Sequence, residues 1–182
     1  MEKKKFLLLF IILAVVLALA AGLYRNLSGQ NSTIPPAADT APPRPAADFT
    51  VYDLEGNEVR LSDFTGKPIV LNFWASSCSP CRSEMPDFQT AYESLGENVQ
   101  FLMVNVTDGY WDTLETASAY VADRGFTFPV YYDTTVDAAV TYGIRGLPTT
   151  VFINAEGNII ASRSGAINLE ILLGGIDLIY RP

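Results

Sequence analysis

The chain has 182 residues and a mass of 19.9 kDa, which predicts one domain with additional segments and not two full domains. Hydrophobic residues make up 49% and charged residues 18%, so a wholly disordered chain is excluded. Residues 1–47 carry five basic and two acidic side chains, which gives a net charge of +3. Residues 48–182 carry seven basic and eighteen acidic side chains, which gives a net charge of −11. The acidic second part would repel a phosphate backbone, so we expect no nucleic-acid partner.

The sequence contains no histidine and only two cysteines, Cys78 and Cys81. Without imidazole, Ser-His-Asp and Cys-His nucleophile systems are excluded, as are most zinc and copper sites. We therefore expect neither a metal nor a cofactor. The chemistry of the chain has to rest on the cysteine pair.

Residues 1–25 predict a membrane anchor. Three lysines precede an uncharged apolar run from Phe6 to Tyr24, which as a helix would span about 28 Å of a bilayer core about 30 Å thick. The basic residues before the run favour a cytoplasmic N-terminus, so we predict a single-pass cell-membrane protein with an extracytoplasmic domain. A cleaved signal peptide ending near Ala18-Leu19-Ala20 is the alternative. The proline-rich residues 26–47 predict an extended linker.

Residues 48–182 predict a globular α/β domain. Strands that alternate with helices and end in a hairpin indicate a sheet with mixed strand directions. The predicted strands are Phe49–Tyr52, Val59–Leu61, Ile69–Trp74, Val99–Val106, Pro129–Tyr132, Thr149–Ile153 and Ile159–Ser162. The predicted helices are Ser79–Leu95, Trp111–Arg124, Thr135–Tyr142 and a last one capped by Asn168 that runs through Leu178.

The segment Cys78-Ser79-Pro80-Cys81 follows a buried strand and opens a helix. Unpaired N–H groups and the helix dipole favour a thiolate there, so we expect the pKa of Cys78 to lie below the free value of about 8.5. Cys81 lies one turn further along the same face, within reach of a disulfide with Cys78. The pattern predicts that Cys78 is the attacking thiol and Cys81 the resolving thiol.

Two other interpretations of the cysteine pair remain open. Exported proteins often carry structural disulfides, although a bridge that closes so short a loop contributes little stability. A Cys-x-x-Cys unit can also be half of a metal site, but the chain offers no further cysteine and no histidine as ligands. Redox activity is the interpretation that the pattern favours.

The segment Asn72–Pro86 reads NFWASSCSPCRSEMP, and Gly146-Leu147-Pro148-Thr149-Thr150 follows about sixty residues later. Together they resemble the TlpA/ResA-like branch of the thioredoxin superfamily, which consists of membrane-tethered thiol–disulfide oxidoreductases. The resemblance implies a thioredoxin-like fold with a mixed central sheet flanked by helices. It also implies a cis-proline at Pro148 and a substrate strand paired with the backbone of Leu147; the residues alone predict only a turn proline. Trp74 is expected in the core or as a substrate contact beside the cysteines.

The chain departs from thioredoxins at three positions near the pair. Asn72 stands where thioredoxins carry a buried acid. Glu84, one helical turn beyond Cys81, matches an acid of ResA-like members and is the candidate to take the proton from Cys81. A solvated carboxylate is the alternative for Glu84. Ser77 stands where the family usually carries tryptophan, which leaves the surface of Cys78 less covered.

The resemblance implies an enzyme that reduces disulfides of exported proteins by dithiol–disulfide exchange, with a transmembrane electron donor of the CcdA/DsbD type. Its substrate classes are apocytochrome c and surface methionine sulfoxide reductases. A peroxiredoxin-like peroxidase is a rival, but Ala75 stands three residues before Cys78, where a Thr or Ser is required. A Sco-like copper-binding module is another, but it needs a distal histidine. A structural protein with an inert bridge is the third.

Overall fold

The computed structural model describes residues 44–181, together with residues 13–15 and 17, which are helical. Most of the predicted membrane anchor and of the predicted linker lies outside the described residues, so both stay predictions. Among the residues that the structure describes, no helix is long and apolar enough to span a membrane.

Residues 44–181 form seven strands and four α-helices. The strands are β1 (Thr50–Tyr52), β2 (Glu58–Arg60), β3 (Ile69–Trp74), β4 (Gln100–Asn105), β5 (Val130–Tyr132), β6 (Thr149–Ile153) and β7 (Ile159–Ser164). The helices are α1 (Ser79–Leu95), α2 (Leu114–Arg124), α3 (Asp137–Thr141) and α4 (Leu169–Ile179), and a 3-10 turn covers Leu61–Phe64.

The seven strands form one mixed sheet in the order β2-β1-β5-β4-β3-β6-β7. Strands β3, β4 and β5 are parallel, whereas β6 runs antiparallel to β3 and β7 antiparallel to β6. At the other edge β1 is antiparallel to β5, and β2 to β1. The mixed strand directions predicted from the sequence are thus confirmed.

Strand β3 lies inside the sheet between β4 and β6, and all six of its residues are buried. Side chains alternate between the two faces of a strand, so its apolar residues belong to two different clusters. Ile69, Leu71 and Phe73 pack with one cluster, while Val70 and Trp74 pack with the cluster that includes residues of α1 and α4. Asn72 shares the face of Val70 and Trp74, which turns this polar side chain towards α1.

Local signals placed most elements correctly, and α1 has the predicted bounds. The second helix begins at Leu114 and not at Trp111, because Thr113 is its N-cap and accepts a hydrogen bond from the Thr116 N–H at 3.2 Å. In this helix Leu114 is exposed and Ala117 is fully buried.

The first described residues of the domain are joined to the turn between β6 and β7. The Ile159 N–H donates to the Arg44 carbonyl and the Ala46 N–H to the Gly157 carbonyl, both at 2.8 Å. Because Ile153 pairs with Ile69, this turn lies at the end of the sheet where β3 begins. The chain therefore enters the domain at the end opposite to the one where β3 leads into the cysteine pair.

Candidate active site

Cys78 and Cys81 form a disulfide at the N-terminus of α1. Cys78 is the N-cap of this helix, and its Sγ accepts a hydrogen bond from the Cys81 N–H at 3.2 Å. The same N–H and the positive end of the helix dipole favour a negatively charged sulfur on Cys78 after reduction. Cys78 is 8% exposed and Cys81 is 0% exposed, so an incoming group reaches the Cys78 sulfur first.

Glu84 is buried in the core behind the disulfide, one turn beyond Cys81. Its Oε1 accepts a hydrogen bond from Asn72 Nδ2 at 2.9 Å, and its Oε2 accepts one from the Ile167 N–H at 2.9 Å. Asn72 Nδ2 also donates to Thr150 Oγ1 at 3.0 Å. The alternative of a solvated helix carboxylate is wrong, since only 1% of Glu84 is exposed.

Burial raises the pKa of Glu84 to about 7, against hydrogen bonds from Ile167 and Asn72 that lower it; the negative charge of Asp87 raises it further. The carboxyl group is therefore able to gain or lose a proton near neutral pH. Asn72 suits both forms, because its amide nitrogen donates to the carboxylate and its Oδ1 is a buried acceptor without a partner among the described residues. Rotation of the amide by 180° would bring Oδ1 to a protonated Glu84.

The Leu147–Pro148 peptide bond is cis, as the resemblance implies. Phe73 near the end of β3 pairs with Thr149, so Pro148 lies at the same end of the sheet as the cysteine pair. Leu147 is half-buried and packs against the cluster that contains Cys78 and Cys81.

Trp74 lies in the core and not at the surface. The side chain is completely buried, and its ring lies 6.0 Å from that of Tyr120. Because the Trp74 side chain has no accessible surface, a substrate cannot contact it in this structure, and the prediction of Trp74 as a substrate contact is wrong. Its position is in the core beneath the loop that leads to Cys78, which was the other expectation for this residue.

Asp112 was missed by the sequence analysis, although it joins two loops at the active site. Its carboxylate accepts hydrogen bonds from the N–H and Oγ of Ser76, from Asn105 Nδ2 at 2.9 Å and from Thr116 Oγ1. Burial opposes ionisation, but these hydrogen bonds outweigh it and hold the pKa of Asp112 below its ordinary value. The sequence signal, an Asp-Thr pair before an apolar helix, marks a helix start and does not reveal the contact with Ser76.

The residues that a peroxiredoxin-like peroxidase or a Sco-like copper-binding module requires are not present at this site. Ala75 is buried three residues before Cys78 and offers no hydroxyl group to a peroxide. Within the described part of the chain, no group of three or more His, Cys, Asp or Glu side chains is arranged to hold a metal ion.

A thioredoxin-like sheet that carries a cysteine disulfide at a helix N-terminus, beside a cis-proline, defines a thiol–disulfide oxidoreductase. The chain belongs to the AhpC/TSA family, whose profile matches residues 42–162, and within it to the thiol–disulfide oxidoreductases of the ResA type. It is 31% identical to thiol-disulfide oxidoreductase ResA of Halalkalibacterium halodurans, over 98% of this chain and 97% of that protein. The TlpA/ResA-like resemblance is thereby confirmed.

Two solved structures show the same fold. StoA from Bacillus subtilis has a TM-score of 0.63 and 26% identity, covering 74% of this chain and 99% of its own. The pneumococcal exposed lipoprotein thioredoxin Etrx1 from Streptococcus pneumoniae has a TM-score of 0.61 and 30% identity, covering 72% and 98%. The thioredoxin-like fold expected from the sequence is confirmed.

Proposed function

We propose that this protein reduces disulfides of exported proteins outside the cytoplasm, as a domain anchored to the cell membrane by residues 1–25. The observation that carries the proposal is the Cys78–Cys81 disulfide, which has one accessible sulfur at a helix N-terminus and a buried acid behind it. The lysine-flanked apolar run supports the anchor. The name of the pneumococcal relative, an exposed lipoprotein, supports the compartment.

In the first step the Cys78 thiolate attacks one sulfur of a substrate disulfide. The substrate S–S bond breaks, a mixed disulfide between Cys78 and the substrate forms, and the second substrate sulfur leaves as a thiolate that takes a proton from water. The helix N-terminus favours the attacking thiolate, and the 8% of Cys78 that is exposed is the part of the cysteine pair that a substrate can reach.

In the second step the Cys81 thiolate attacks Cys78 Sγ. The mixed disulfide breaks, the second substrate sulfur leaves as a thiolate that takes a proton from water, and the Cys78–Cys81 disulfide forms. Cys81 is completely buried, so its thiol needs a nearby base to lose its proton. Glu84 takes this proton, since it lies one turn along the same helix and titrates near neutral pH.

Each turnover leaves the pair oxidised, and the next one requires two electrons and two protons. An oxidising compartment has no pool of reductant, so we infer that a transmembrane carrier of the CcdA/DsbD type delivers them. The substrates that suit such a reductant are apocytochrome c with an oxidised haem-attachment pair and surface methionine sulfoxide reductases.

The proposal is tested by trapping. Cys81→Ala in the full chain removes the resolving thiol and is expected to accumulate mixed disulfides with exported proteins, which mass spectrometry identifies. Cys78→Ala, the matched control, retains the buried thiol and is expected to trap none. Reduction of insulin disulfides by the wild type but by neither variant completes the expected pattern, whereas an inert wild type would contradict the proposal.

Two further measurements test the direction of electron flow and the cellular location of the domain. A reduction potential near that of thioredoxin, about −270 mV, supports a reductant, and one near about −120 mV would reverse the direction of electron flow. In intact cells, protease added from outside is expected to release residues 48–182 from the membrane fraction. Protection of this domain until the membrane is permeabilised would contradict the extracytoplasmic location.

A further inference from the structure

A groove of about 480 Å³ opens to solvent beside the active site. Its walls come from the loop after β4, from α3 and from the segment that ends at Leu147. Trp111 and Val140 expose 39% and 74% of their surfaces at this groove, and Tyr110, whose ring contacts that of Trp111, exposes 85%. Exposed apolar residues gathered at one place mark interaction surfaces more often than scattered ones do.

The loop of residues 107–113, here called the aromatic loop, is held in a defined conformation. Asp108 Oδ1 accepts hydrogen bonds from the N–H groups of Tyr110 at 2.9 Å and Trp111 at 2.7 Å. Gly109 has a φ of 78°, and its N–H donates to the Asp112 carbonyl at 2.9 Å. The two rings meet edge to face, with centroids 5.6 Å apart. The aromatic side chains are therefore preorganised, which lowers the entropy cost of binding.

The aromatic loop is also fixed to the loop that precedes Cys78. The buried carboxylate of Asp112 accepts hydrogen bonds from the N–H and the Oγ of Ser76, the latter at 2.8 Å. The Ser77 hydroxyl donates to the Trp111 carbonyl. Ser77 is exposed and immediately precedes Cys78. A chain bonded to Cys78 through its own cysteine thus has its neighbouring residues close to Ser77 and to the aromatic loop that Ser77 contacts.

We propose that the aromatic loop is the specificity element of this oxidoreductase: Tyr110 and Trp111 bind an apolar or aromatic side chain next to the disulfide of an unfolded substrate polypeptide. Asp112 is the positioning residue that holds the loop in place. The inference rests on the proposed function, because it assigns the chemistry of the substrate to the same site.

A polypeptide suits this surface better than a lipid bilayer does, although exposed Tyr and Trp also occur at membrane interfaces. Residues 48–182 carry eighteen acidic against seven basic side chains, which opposes contact with anionic lipid headgroups. Two residues that line the groove connect it to the active site: the Trp111 carbonyl accepts a hydrogen bond from Ser77, which precedes Cys78, and Leu147 precedes the cis-proline. An apolar side chain in the groove gains affinity by leaving water, and its neighbour in sequence is then aligned for exchange.

The test uses the reduced full chain and two disulfide-containing peptides that differ at one residue beside the cysteine, tryptophan in one and serine in the other. The wild type is expected to reduce the tryptophan peptide with a kcat/KM at least about tenfold higher. Trp111→Ala and Tyr110→Ala are expected to lose most of this preference. Leu173→Ala, a matched control with 40% exposure on α4, is expected to retain it.

Asp112→Asn tests the positioning role, because it replaces one acceptor oxygen by an amide that faces hydrogen-bond donors. A loosened aromatic loop is expected to raise KM for the tryptophan peptide several-fold with little change in kcat. Bis(2-hydroxyethyl) disulfide, which has no flanking side chain, is expected to be reduced at the same rate by the wild type and by Leu173→Ala. Its reduction by the variants of Tyr110, Trp111 and Asp112 is expected to fall much less than their reduction of the tryptophan peptide. A parallel loss of kcat on both substrates would overturn the positioning role.

Two results would overturn the specificity role: equal rates of the wild type on the two peptides, or binding to phosphatidylglycerol vesicles that Trp111→Ala abolishes. Failure of the wild type to reduce even bis(2-hydroxyethyl) disulfide would instead refute the proposed function, and the inference with it. The small disulfide therefore distinguishes the two failures.

Discussion

Replacement of Glu84 by glutamine is expected to remove a specific pH dependence of stability. The native state raises the pKa of Glu84 from 4.5 to about 7, chiefly by burial. The folded protein therefore binds this proton more tightly than the unfolded chain does. The resulting stabilisation is fully present below about pH 4.5 and is lost as the pH rises through 7.

The size of the effect follows from the two pKa values. At 1.36 kcal/mol per pH unit, the difference between 4.5 and about 7 corresponds to about 3 kcal/mol of unfolding free energy. Glutamine cannot titrate, so Glu84→Gln removes this contribution at every pH. Asn72 is able to accommodate the new amide, because a 180° rotation presents Oδ1 to the glutamine Nε2.

Urea denaturation of the oxidised wild type and of Glu84→Gln between pH 4.5 and 8 measures the effect. All other titrating groups are common to both proteins, so the difference between the two curves isolates Glu84. We expect the stability of the wild type, relative to the variant, to fall by about 3 kcal/mol across this range. If the difference in unfolding free energy between the wild type and Glu84→Gln did not change with pH, the reasoning would be refuted, because the pKa of Glu84 would then be the same in the folded and unfolded states.

Two further changes test the core around the site. Asn72→Asp places a second carboxyl group against Glu84, and two negative charges so close together in the core are unfavourable. We expect the free energy of unfolding to fall by at least about 2 kcal/mol above pH 7 and by less at pH 4.5, as measured by the same urea titration. Gly175→Ala would push its methyl group into the ring of Phe152 and is expected to cost about 1–3 kcal/mol by thermal unfolding. Gly174→Ala is the neighbouring control, because its new methyl group has no atom within 4 Å, and it is expected to raise the free energy of unfolding by up to about 1 kcal/mol. Equal effects of the two substitutions would contradict the contact between residue 175 and Phe152.

The parts of the fold predicted correctly are those specified by short stretches of sequence. The apolar run of β3 and the helix that follows it appear with their predicted bounds. The last helix is capped by Asn168, whose side chain accepts a hydrogen bond from the Ile171 N–H, as expected. In each case the physical cause lies within a few residues.

The parts that were missed depend on residues far apart in the chain. Glu84 accepts one hydrogen bond from the Ile167 N–H, 83 residues later, which its spacing from Cys81 does not predict, so a solvated carboxylate stayed open as an alternative. Asp112 reaches Ser76 across 36 residues. The sequence shows that Asn72 replaces the buried acid of thioredoxins. Its hydrogen bond to Glu84 forms only because α1 packs on the sheet, and the sequence alone does not reveal that contact. No periodicity or motif encodes such contacts.

The attachment of Arg44 and Ala46 to the turn between β6 and β7 determines how a tethered domain would face its surroundings. The six residues of β3 separate this attachment from the cysteine pair by about 20 Å. Within residues 44–181, the sulfur atoms and the aromatic loop therefore lie at the end of the sheet that is remote from the entry of the chain. In the proposed function, a polypeptide substrate and an electron donor would both have to reach this remote end of the domain.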